Sequence, residues 1–250
     1  MSEKTSATQS SLNEWQDELN AVANPEKAKI LSRFFKTGEG EYGYGDRFIG
    51  VTVPANRAIS KGHADDSLDT IAAMATHPIH EYRLGALLAL VARYRKHPEE
   101  TTGFYLRHLT YANNWDLIDL SAPYILGEEL RKGRHHETIR QMARDRNLWI
   151  RRAAVVSTLR PVMKSRDTTL SLEMCHLLVS DPHDLMRKAV GWVLRETGKK
   201  DLPAMLSFLE SHIDLLSATT LSYATEKLTP EERAYWRQRR KDSQPRRAKL

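Results

Sequence analysis

Apolar residues recur along most of this chain at the spacing of an α-helix. In the run from Leu84 to Val91, leucine and valine occupy positions i, i+3, i+4 and i+7, which places their side chains on one helical face. The alternation typical of a strand occurs only at Phe48–Val53, and Pro54 ends it at once. The pattern therefore predicts an all-α fold.

Proline after a polar residue marks the predicted helix starts. At Asn24-Pro25 the asparagine is a suitable cap, and proline suits the first helical position. The same mark recurs at His77-Pro78, His97-Pro98, Asp181-Pro182 and Thr229-Pro230. The first helix is expected to begin near Leu12.

Three of the predicted helices have similar sequences, which indicates an internal repeat. The stretches YRLGALLAL, IRRAAVVSTL and MRKAVGWVL align so that Arg83, Arg151 and Arg187 take equivalent positions. The last two arginines are 36 residues apart and the first two are 68 apart, about twice 34, so a further repeat is expected near residue 116. This period is typical of a HEAT-like solenoid, along whose concave face equivalent residues line up. Chance similarity among amphipathic helices is the alternative.

The stretch NNWDLIDLSAPYILG lies where the missing repeat is expected. Asn114 is a suitable cap for a helix that begins at Trp115. Asp116 and Asp119 then lie one turn apart on one face of that helix. An indole beside carboxylates is suited to bind a cation.

Two later stretches, WIRRAA and AVGWVLRE, place Trp149 and Trp192 beside basic residues. These basic residues are Arg151, Arg152, Arg187 and Lys188. Taken singly, each has an ordinary interpretation: core tryptophans, carboxylates favoured in a first helical turn, or a solvated basic face. Together, on successive repeats, they indicate a binding surface for an anionic polymer such as DNA.

Composition narrows the class of protein and its organisation. With 40% apolar and 28% charged residues, the chain is ordinary for a globular protein and has no apolar run long enough to cross a membrane. One cysteine, Cys175, argues against a disulfide framework and favours a cytoplasmic protein. The net charge is +6, and residues 229–250 hold eight lysines and arginines against three acids. We predict a disordered N-terminus at 1–10, a repeat domain at 11–228, and a short helix with a basic, disordered tail at 229–250.

Motifs of several other kinds of chemistry are not found. His77 and His80 are one turn apart, but a third ligand is not evident, so neither a metal nor another cofactor is expected. The glycine-rich stretch TGEGEYGYGD lacks the lysine of a phosphate-binding loop and is predicted to connect two helices. Cys175 lies in an apolar helical pattern and is expected to be a core thiol.

Four stretches, NPEKA, WDLID, LWIRRAA and RKAVGWVLRE, resemble the AlkD-like DNA glycosylases of the DNA alkylation repair family in order and spacing. The similarity runs from about Leu12 to Thr225, and RKAVGWVLRE is its most specific part. It implies a HEAT-like solenoid whose concave, basic face holds duplex DNA. It also implies hydrolysis of the N-glycosidic bond of cationic N3- and N7-alkylpurines without base flipping. We expect a monomer that needs no cofactor, membrane or obligate protein partner.

The resemblance carries roles over to particular residues. Asp119 matches the family's catalytic aspartate, and Trp115 and Trp192 match two tryptophans of its site. Arg152 matches the arginine that approaches DNA near the lesion. Arg152, Arg187 and Lys188 are expected to hold phosphates, and Arg151 is a further expected DNA contact.

The N-terminal part departs from the family pattern. Thr52 stands where a glutamine is expected, Phe35 replaces a tyrosine, and residues 37–47 are longer and richer in glycine. These differences bear on the substrate range more than on the reaction. Two other functions remain open from the sequence alone: a non-catalytic protein that binds damaged or branched DNA, and a HEAT-type scaffold for protein partners.

Overall fold

The computed structural model of this protein describes residues 2–243, which form helices and connecting loops in two compact units that divide between Ile125 and Leu126. Across the described residues, the nearest approach to a sheet is one isolated bridge between Arg47 and Ile79. The predicted all-α class is confirmed, with helices packed in a repeat-like arrangement. The concave basic face of a solenoid remains a prediction.

The first unit is built around one central helix. Its helices are α1 (Ser2–Ala21), α2 (Pro25–Phe34), α3 (Val53–Gly62), α4 (Leu68–Ala75), α5 (His80–Arg93), α6 (Pro98–His108) and α7 (Trp115–Asp119). Helix α5 packs against α3, α4 and α6, and every residue from 80 to 90 is buried. A helix that is covered all round forms the core of its unit.

The second unit has a similar plan around α13. Its helices are α8 (Leu126–Arg131), α9 (His136–Met142), α10 (Leu148–Ser157), α11 (Leu159–Ser165), α12 (Thr169–Leu178), α13 (Asp184–Gly198), α14 (Leu202–Ser211), α15 (Ala218–Ala224) and α16 (Pro230–Ser243). Helix α13 packs against α10, α12, α14 and α15. Gly191 allows the close approach of α15, since a Cβ there would lie 2.7 Å from the Thr220 carbonyl oxygen.

The aligned arginines share one local structure, which supports the repeat. Each guanidinium donates a hydrogen bond to the backbone carbonyl six residues earlier. The pairs are Arg83 to His77 at 2.7 Å, Arg151 to Asp145 at 3.0 Å, and Arg187 to Asp181 at 3.3 Å. The side chains of His77, Asp145 and Asp181 also each accept a hydrogen bond from the backbone N–H two residues later in the chain. We call residues 77–83, 145–151 and 181–187 the arginine-closed loops.

The helices at the two ends of the chain compare differently with the predictions. Helix α1 begins at Ser2, earlier than the predicted start near Leu12, and so covers most of the stretch expected to be disordered. Its C-terminal half buries Trp15 and Leu19 within the first unit. At the other end, α16 (Pro230–Ser243) occupies part of the segment 229–250, which was predicted to be a short helix followed by a basic, disordered tail. Residues 244–250 of that segment lie outside the described residues, so the tail remains a prediction.

Candidate active site

Helix α7 places Trp115, Asp116 and Asp119 within five residues. Asn114 caps it as predicted, because its side-chain oxygen accepts the Trp115 N–H at 2.8 Å. Asp116 is buried, whereas Trp115 and Asp119 are half-buried. The helix therefore presents an indole and two carboxylates from one short, capped segment.

The chain just beyond α7 is anchored by two buried hydroxyl groups. Ser121 donates to the Leu117 carbonyl at 2.5 Å, and the Tyr105 hydroxyl can then donate to Ser121 at 2.8 Å. Burial raises the pKa of Tyr105; the bond to Ser121 lowers it, and the negative charge of Asp119 adds to the rise.

A cavity of about 490 Å³ opens beside α7, within the first unit. Helix α7 contributes Trp115, Asp116 and Asp119 to its wall. Aromatic walls come from Phe34, Phe35 and Phe48, and most of the other lining residues are apolar. Aromatic rings and carboxylates around one cavity are suited to a flat, positively charged ligand.

The aromatic side chains of the cavity form a continuous stack. Trp115 stacks on Phe35 with ring centroids 5.3 Å apart, and Phe35 stacks on Phe48 at 5.1 Å. Phe48 in turn stacks on the imidazole of His80 at 4.5 Å. Phe34 meets Trp115 edge-on at 6.0 Å. The stack fixes the orientation of the indole that lines the cavity.

Four buried charged side chains connect α5 with α7. The ring nitrogens of His80 lie 2.9 Å from Asp116 Oδ2 and 3.0 Å from Asp46 Oδ2. Arg83 pairs with the other oxygen of Asp46. Opposite charges alternate along this row, so the row is neutral as a whole and the cost of burying each charge is offset by its neighbours.

The carboxylates keep His80 protonated. Burial by itself lowers the pKa of His80, but the charge and hydrogen bond of Asp116, together with Asp46, outweigh it and raise the pKa to about 9. Burial by itself raises the pKa of Asp46, but the hydrogen bond from His80 and the charge of Arg83 outweigh this effect. The pKa of Asp46 therefore lies below its ordinary value. At neutral pH His80 is therefore an imidazolium that donates to both carboxylates.

Asp116 keeps one oxygen outside this row. Its Oδ2 accepts from His80, but its Oδ1 is buried and has no hydrogen-bond partner among the described residues. A buried carboxylate oxygen without a partner is costly, and such groups in a native structure are often explained by a ligand or a solvent molecule.

Glu81 also lines the cavity. Its carboxylate is buried and accepts the backbone N–H groups of residues 49–51, the shortest from Gly50 at 2.7 Å. Gly50 has φ +85°, and a Cβ there would lie 2.0 Å from the Asn24 carbonyl oxygen, so only glycine fits. The stretch with strand-like alternation is thus a loop held by a carboxylate, and it delivers Thr52 to the cavity.

Two of the three departures from the family pattern, Phe35 and Thr52, lie at this cavity. Phe35 is buried in the aromatic stack, and Thr52 is exposed on the cavity wall. Helix α2 contains no buried residue, although its apolar Ile30 and Phe34 also line the cavity and are 65% and 60% exposed. A helix that exposes its apolar side chains at a cavity is expected to contact a ligand there.

The sequence did not identify His80, Asp46 or Glu81 as site residues. His80 was considered only as a metal ligand, yet it lies 36 residues before Asp116, which is the repeat period. Three buried ionisable side chains at the start of the mainly apolar helix α5, His80, Glu81 and Arg83, were the available signal. Charged residues that are fully buried in a core are expected to have specific partners.

The basic residues predicted to contact DNA lie in the second unit, and several already have internal partners. Arg151 donates to the Asp181 carboxylate at 2.8 Å as well as to its own loop. Arg187 donates to the Asp181 carbonyl, and the buried Arg152 donates to the Leu185 carbonyl at 2.6 Å. Their contacts with DNA remain predictions, and the structure gives each of them a part in holding the fold.

The other predicted site residues of the second unit, Lys188 and Trp192, are half-buried. Lys188 pairs with Asp184 at 2.8 Å, and Trp192 lies on α13. Helix α16 contributes four basic residues to a separate cavity of about 250 Å³. This α16 basic cluster consists of Arg233, Arg237, Arg240 and Lys241. It gives the second unit a positively charged surface suited to phosphate groups.

Three features of the described residues bear on other functions. Cys175 is buried, and burial raises the pKa of its thiol, as expected for a core residue. Residues 2–243 contain no group of three or more histidine, cysteine, aspartate or glutamate residues arranged to hold a metal ion. Within the same range, none of the helices has both the length and the apolar character needed to cross a membrane.

An all-helical repeat chain, with an indole and a carboxylate on the WDLID helix beside a cavity, fits the class of helical-repeat DNA repair proteins. Residues 15–228 match the family described as DNA alkylation repair enzyme, and the chain belongs to this family. A structure described as a predicted DNA alkylation repair enzyme from Enterococcus faecalis has a TM-score of 0.67 with 21% identity, covering 83% of this chain and 97% of that one. At that identity the likeness shows the fold alone. No curated protein matches the chain.

Proposed function

We propose that this protein is a DNA glycosylase that hydrolyses the N-glycosidic bond of cationic alkylated purines, the N3- and N7-alkylpurines, in duplex DNA. The observation that carries the proposal is the position of Asp119 beside Trp115 on the wall of an aromatic cavity. Membership of the DNA alkylation repair family supports a role in repair. The geometry adds a carboxylate where a positively charged substrate would need one.

The chemistry requires little beyond this carboxylate. An N3- or N7-alkylated purine carries a positive charge, and the C1′–N bond breaks with its electron pair moving to the base, which leaves as a neutral molecule. Positive charge then grows on the sugar. Asp119 would stabilise that charge and orient the water whose oxygen bonds to C1′, while the proton of the water passes to Asp119 or to solvent.

Magnitudes indicate which side chain should matter most for the rate. A carboxylate about 4 Å from a cation gains about 4 kcal/mol at an effective dielectric constant near 20. A cation over an indole face gains about 0.5–2 kcal/mol. We therefore assign rate enhancement to Asp119, and positioning of the charged nucleotide to Trp115 and to Trp192.

The basic side chains would hold the DNA backbone. Arg152, Arg151, Arg187 and Lys188 remain the proposed phosphate contacts in the second unit. The α16 basic cluster adds four positive charges there. Contacts of this kind position duplex DNA without reading its sequence and weaken as salt rises. That the protein is a cytoplasmic monomer remains a prediction from its sequence, and action without base flipping remains what the family resemblance implies.

The test is base release from duplex DNA treated with a methylating agent, with the released bases separated by chromatography. Release of 3-methyladenine or 7-methylguanine by the wild-type protein is the expected result. Salt-dependent DNA binding without release would instead favour a non-catalytic protein for damaged or branched DNA. Negligible DNA binding at low salt would favour a scaffold for protein partners.

A further inference from the structure

A second cavity lies between α15 and α16, apart from the residues assigned to the chemistry. It has a volume of about 250 Å³, and its walls come from α15, the turn that follows α15, and α16. The residues that make it basic all lie in α16, beyond residues 15–228, which match the family. Family membership therefore does not account for this cavity.

The spacing of the basic residues in α16 places them on one face of the helix. They follow the series i, i+4, i+7 and i+8, which an α-helix brings together along one side. The α16 basic cluster consists of Arg233, Arg237, Arg240 and Lys241. Arg239 lies on another face and pairs with Glu210. The cluster therefore faces the cavity as a set.

Two arginines of the cluster are placed by the fold. Arg240 donates through Nε to the Leu216 carbonyl at 2.6 Å, which fixes its guanidinium at the cavity wall. Arg233 is half-buried, and its Nε is buried without a hydrogen-bond partner among the described residues. A buried donor of this kind is costly unless an acceptor reaches it. The cavity thus presents preplaced hydrogen-bond donors.

The positive charge of the cavity exceeds what its own lining balances. Of the described residues in the lining, Glu226 alone is acidic, and it also pairs with Arg195 and, at 3.0 Å, with Lys227. Four positive charges therefore face one shared carboxylate. Like charges around one cavity repel each other, so a bound anion would relieve an unfavourable arrangement. An anion with more than one charge would relieve it most.

A terminal phosphate group fits these features better than a phosphate within a DNA strand. A phosphate monoester carries a charge of about −1.5 to −2 at pH 7 and three acceptor oxygens. A phosphodiester carries one negative charge and is flanked by a sugar on each side. Several basic side chains around a small cavity match the group with more charge and more acceptors. Ser222, on the α15 wall, adds a hydroxyl donor.

We propose that the cavity between α15 and α16 is a binding site for a terminal phosphate group, supplied by the end of a DNA strand. The choice of DNA as its source rests on the proposed function, whereas the phosphate chemistry rests on the cavity alone. A site of this kind makes the protein bind more tightly at phosphorylated strand ends and breaks than on continuous duplex.

The test compares two short, blunt duplexes of one sequence that bear either phosphate or hydroxyl groups at all strand ends. Fluorescence anisotropy measures the affinity of the full chain for each at one salt concentration. Wild type should bind the phosphorylated duplex about tenfold more tightly. Arg237→Gln should remove most of this difference. Lys200→Gln removes an exposed positive charge of the same unit outside this cavity and should preserve it.

A free phosphate ester distinguishes the two sources of the group. Thymidine 5′-monophosphate competes with the phosphorylated duplex, and thymidine is its neutral control. The monophosphate should displace the duplex only at much higher concentration than unlabelled phosphorylated duplex does. If it bound as tightly as the duplex, and Arg237→Gln weakened it, the site would belong to a free phosphorylated molecule and the DNA end would be rejected.

Urea denaturation of each variant guards against a folding defect. Arg237 is exposed, so Arg237→Gln should unfold at the same urea concentration as wild type. Equal affinity of wild type for the two duplexes would overturn the proposal. An equal effect of Arg237→Gln on both duplexes would overturn it as well, and would leave the α16 basic cluster as an ordinary contact to the DNA backbone.

The outcomes of this experiment and of the base-release assay are separable. Base release without a preference for phosphorylated ends would leave the glycosylase standing and reject the phosphate site. A preference that Arg237→Gln abolishes, without base release from methylated DNA, would support the phosphate site and reject the glycosylase.

Discussion

Residues 113–119 and the arginine-closed loops occupy equivalent positions of one repeat but are built differently. Asp119 lies 36 residues after Arg83, the same separation as between Arg151 and Arg187. In three repeats this position holds an arginine that ties down the loop before its helix. In the fourth it holds the carboxylate that we propose as catalytic.

Neighbouring groups replace the missing arginine. Asn114 caps α7 from the adjacent position, and Asp116 is bound by His80. Ser121 secures the end of the helix. Asn113 occupies the position of His77, but its Oδ1 is buried without a hydrogen-bond partner among the described residues. A repeat position that elsewhere stabilises the scaffold here holds a carboxylate on the cavity wall, as expected where a functional site breaks a local rule.

The largest effect on stability is expected at the arginine-closed loop next to α7. Arg83→Met removes the partner of the buried Asp46 and the bond to the His77 carbonyl. Loss of one partner of a buried pair leaves an uncompensated charge, so the free energy of unfolding should fall by about 3–5 kcal/mol. Urea denaturation followed by circular dichroism measures it.

Arg95→Met, at an exposed arginine of the same unit, is the control and should have almost no effect. If the two variants were equally stable, the buried charged row would not be what holds the loop at residues 77–83.

A pH dependence is expected where the arginine-closed loop at residues 77–83 meets α7, because His80 lies in this loop and pairs with Asp116. The pKa of His80 is about 9 in the folded protein, above its ordinary value of 6.5, so its stabilising contribution is complete below pH 6.5 and is lost as pH rises through 9. The loss should be on the order of 1–3 kcal/mol. Urea midpoints at pH 6 and pH 9 should show it, and His80→Gln should flatten the difference. An unchanged slope in that variant would contradict the protonated state of His80.

The smallest losses in the free energy of unfolding are expected in the two arginine-closed loops of the second unit, and they should differ in size. Arg151→Met removes an ion pair with Asp181 and carbonyl contacts, and should cost about 1–3 kcal/mol. Arg187→Met removes a longer bond of 3.3 Å and should cost about 0.5–1.5 kcal/mol. Thermal or urea unfolding of both variants gives the order. The reverse order would show that the contacts of Arg151 are not what stabilises this unit.

Local patterns accounted for much of this structure. The caps at Asn24 and Asn114, the helical class and the alignment of Arg83 with Arg151 and Arg187 follow from spacing and composition, which act over a few residues. The glycine-rich stretch and the loop at residues 48–52 also lie outside helices, in keeping with their sequences.

The buried charged row could not be predicted in the same way. It joins Asp46, His80 and Asp116, which are 34 and 36 residues apart, and its formation depends on how α5 and α7 pack. The cavity depends on the same packing, since its lining comes from α2, α3, α5 and α7. One sequence shows the spacing of these residues but not which of their side chains meet when the helices pack.

Asp119 takes the place of a structural arginine of the repeat, and we propose that it is the catalytic residue. Single-turnover cleavage of a duplex oligonucleotide with one 7-methylguanine tests it most directly, comparing wild type, Asp119→Asn and the control Asp69→Asn. Asp119→Asn should lower the rate at least about a hundredfold with DNA affinity unchanged, while the control matches wild type. A wild-type rate in Asp119→Asn would contradict the account.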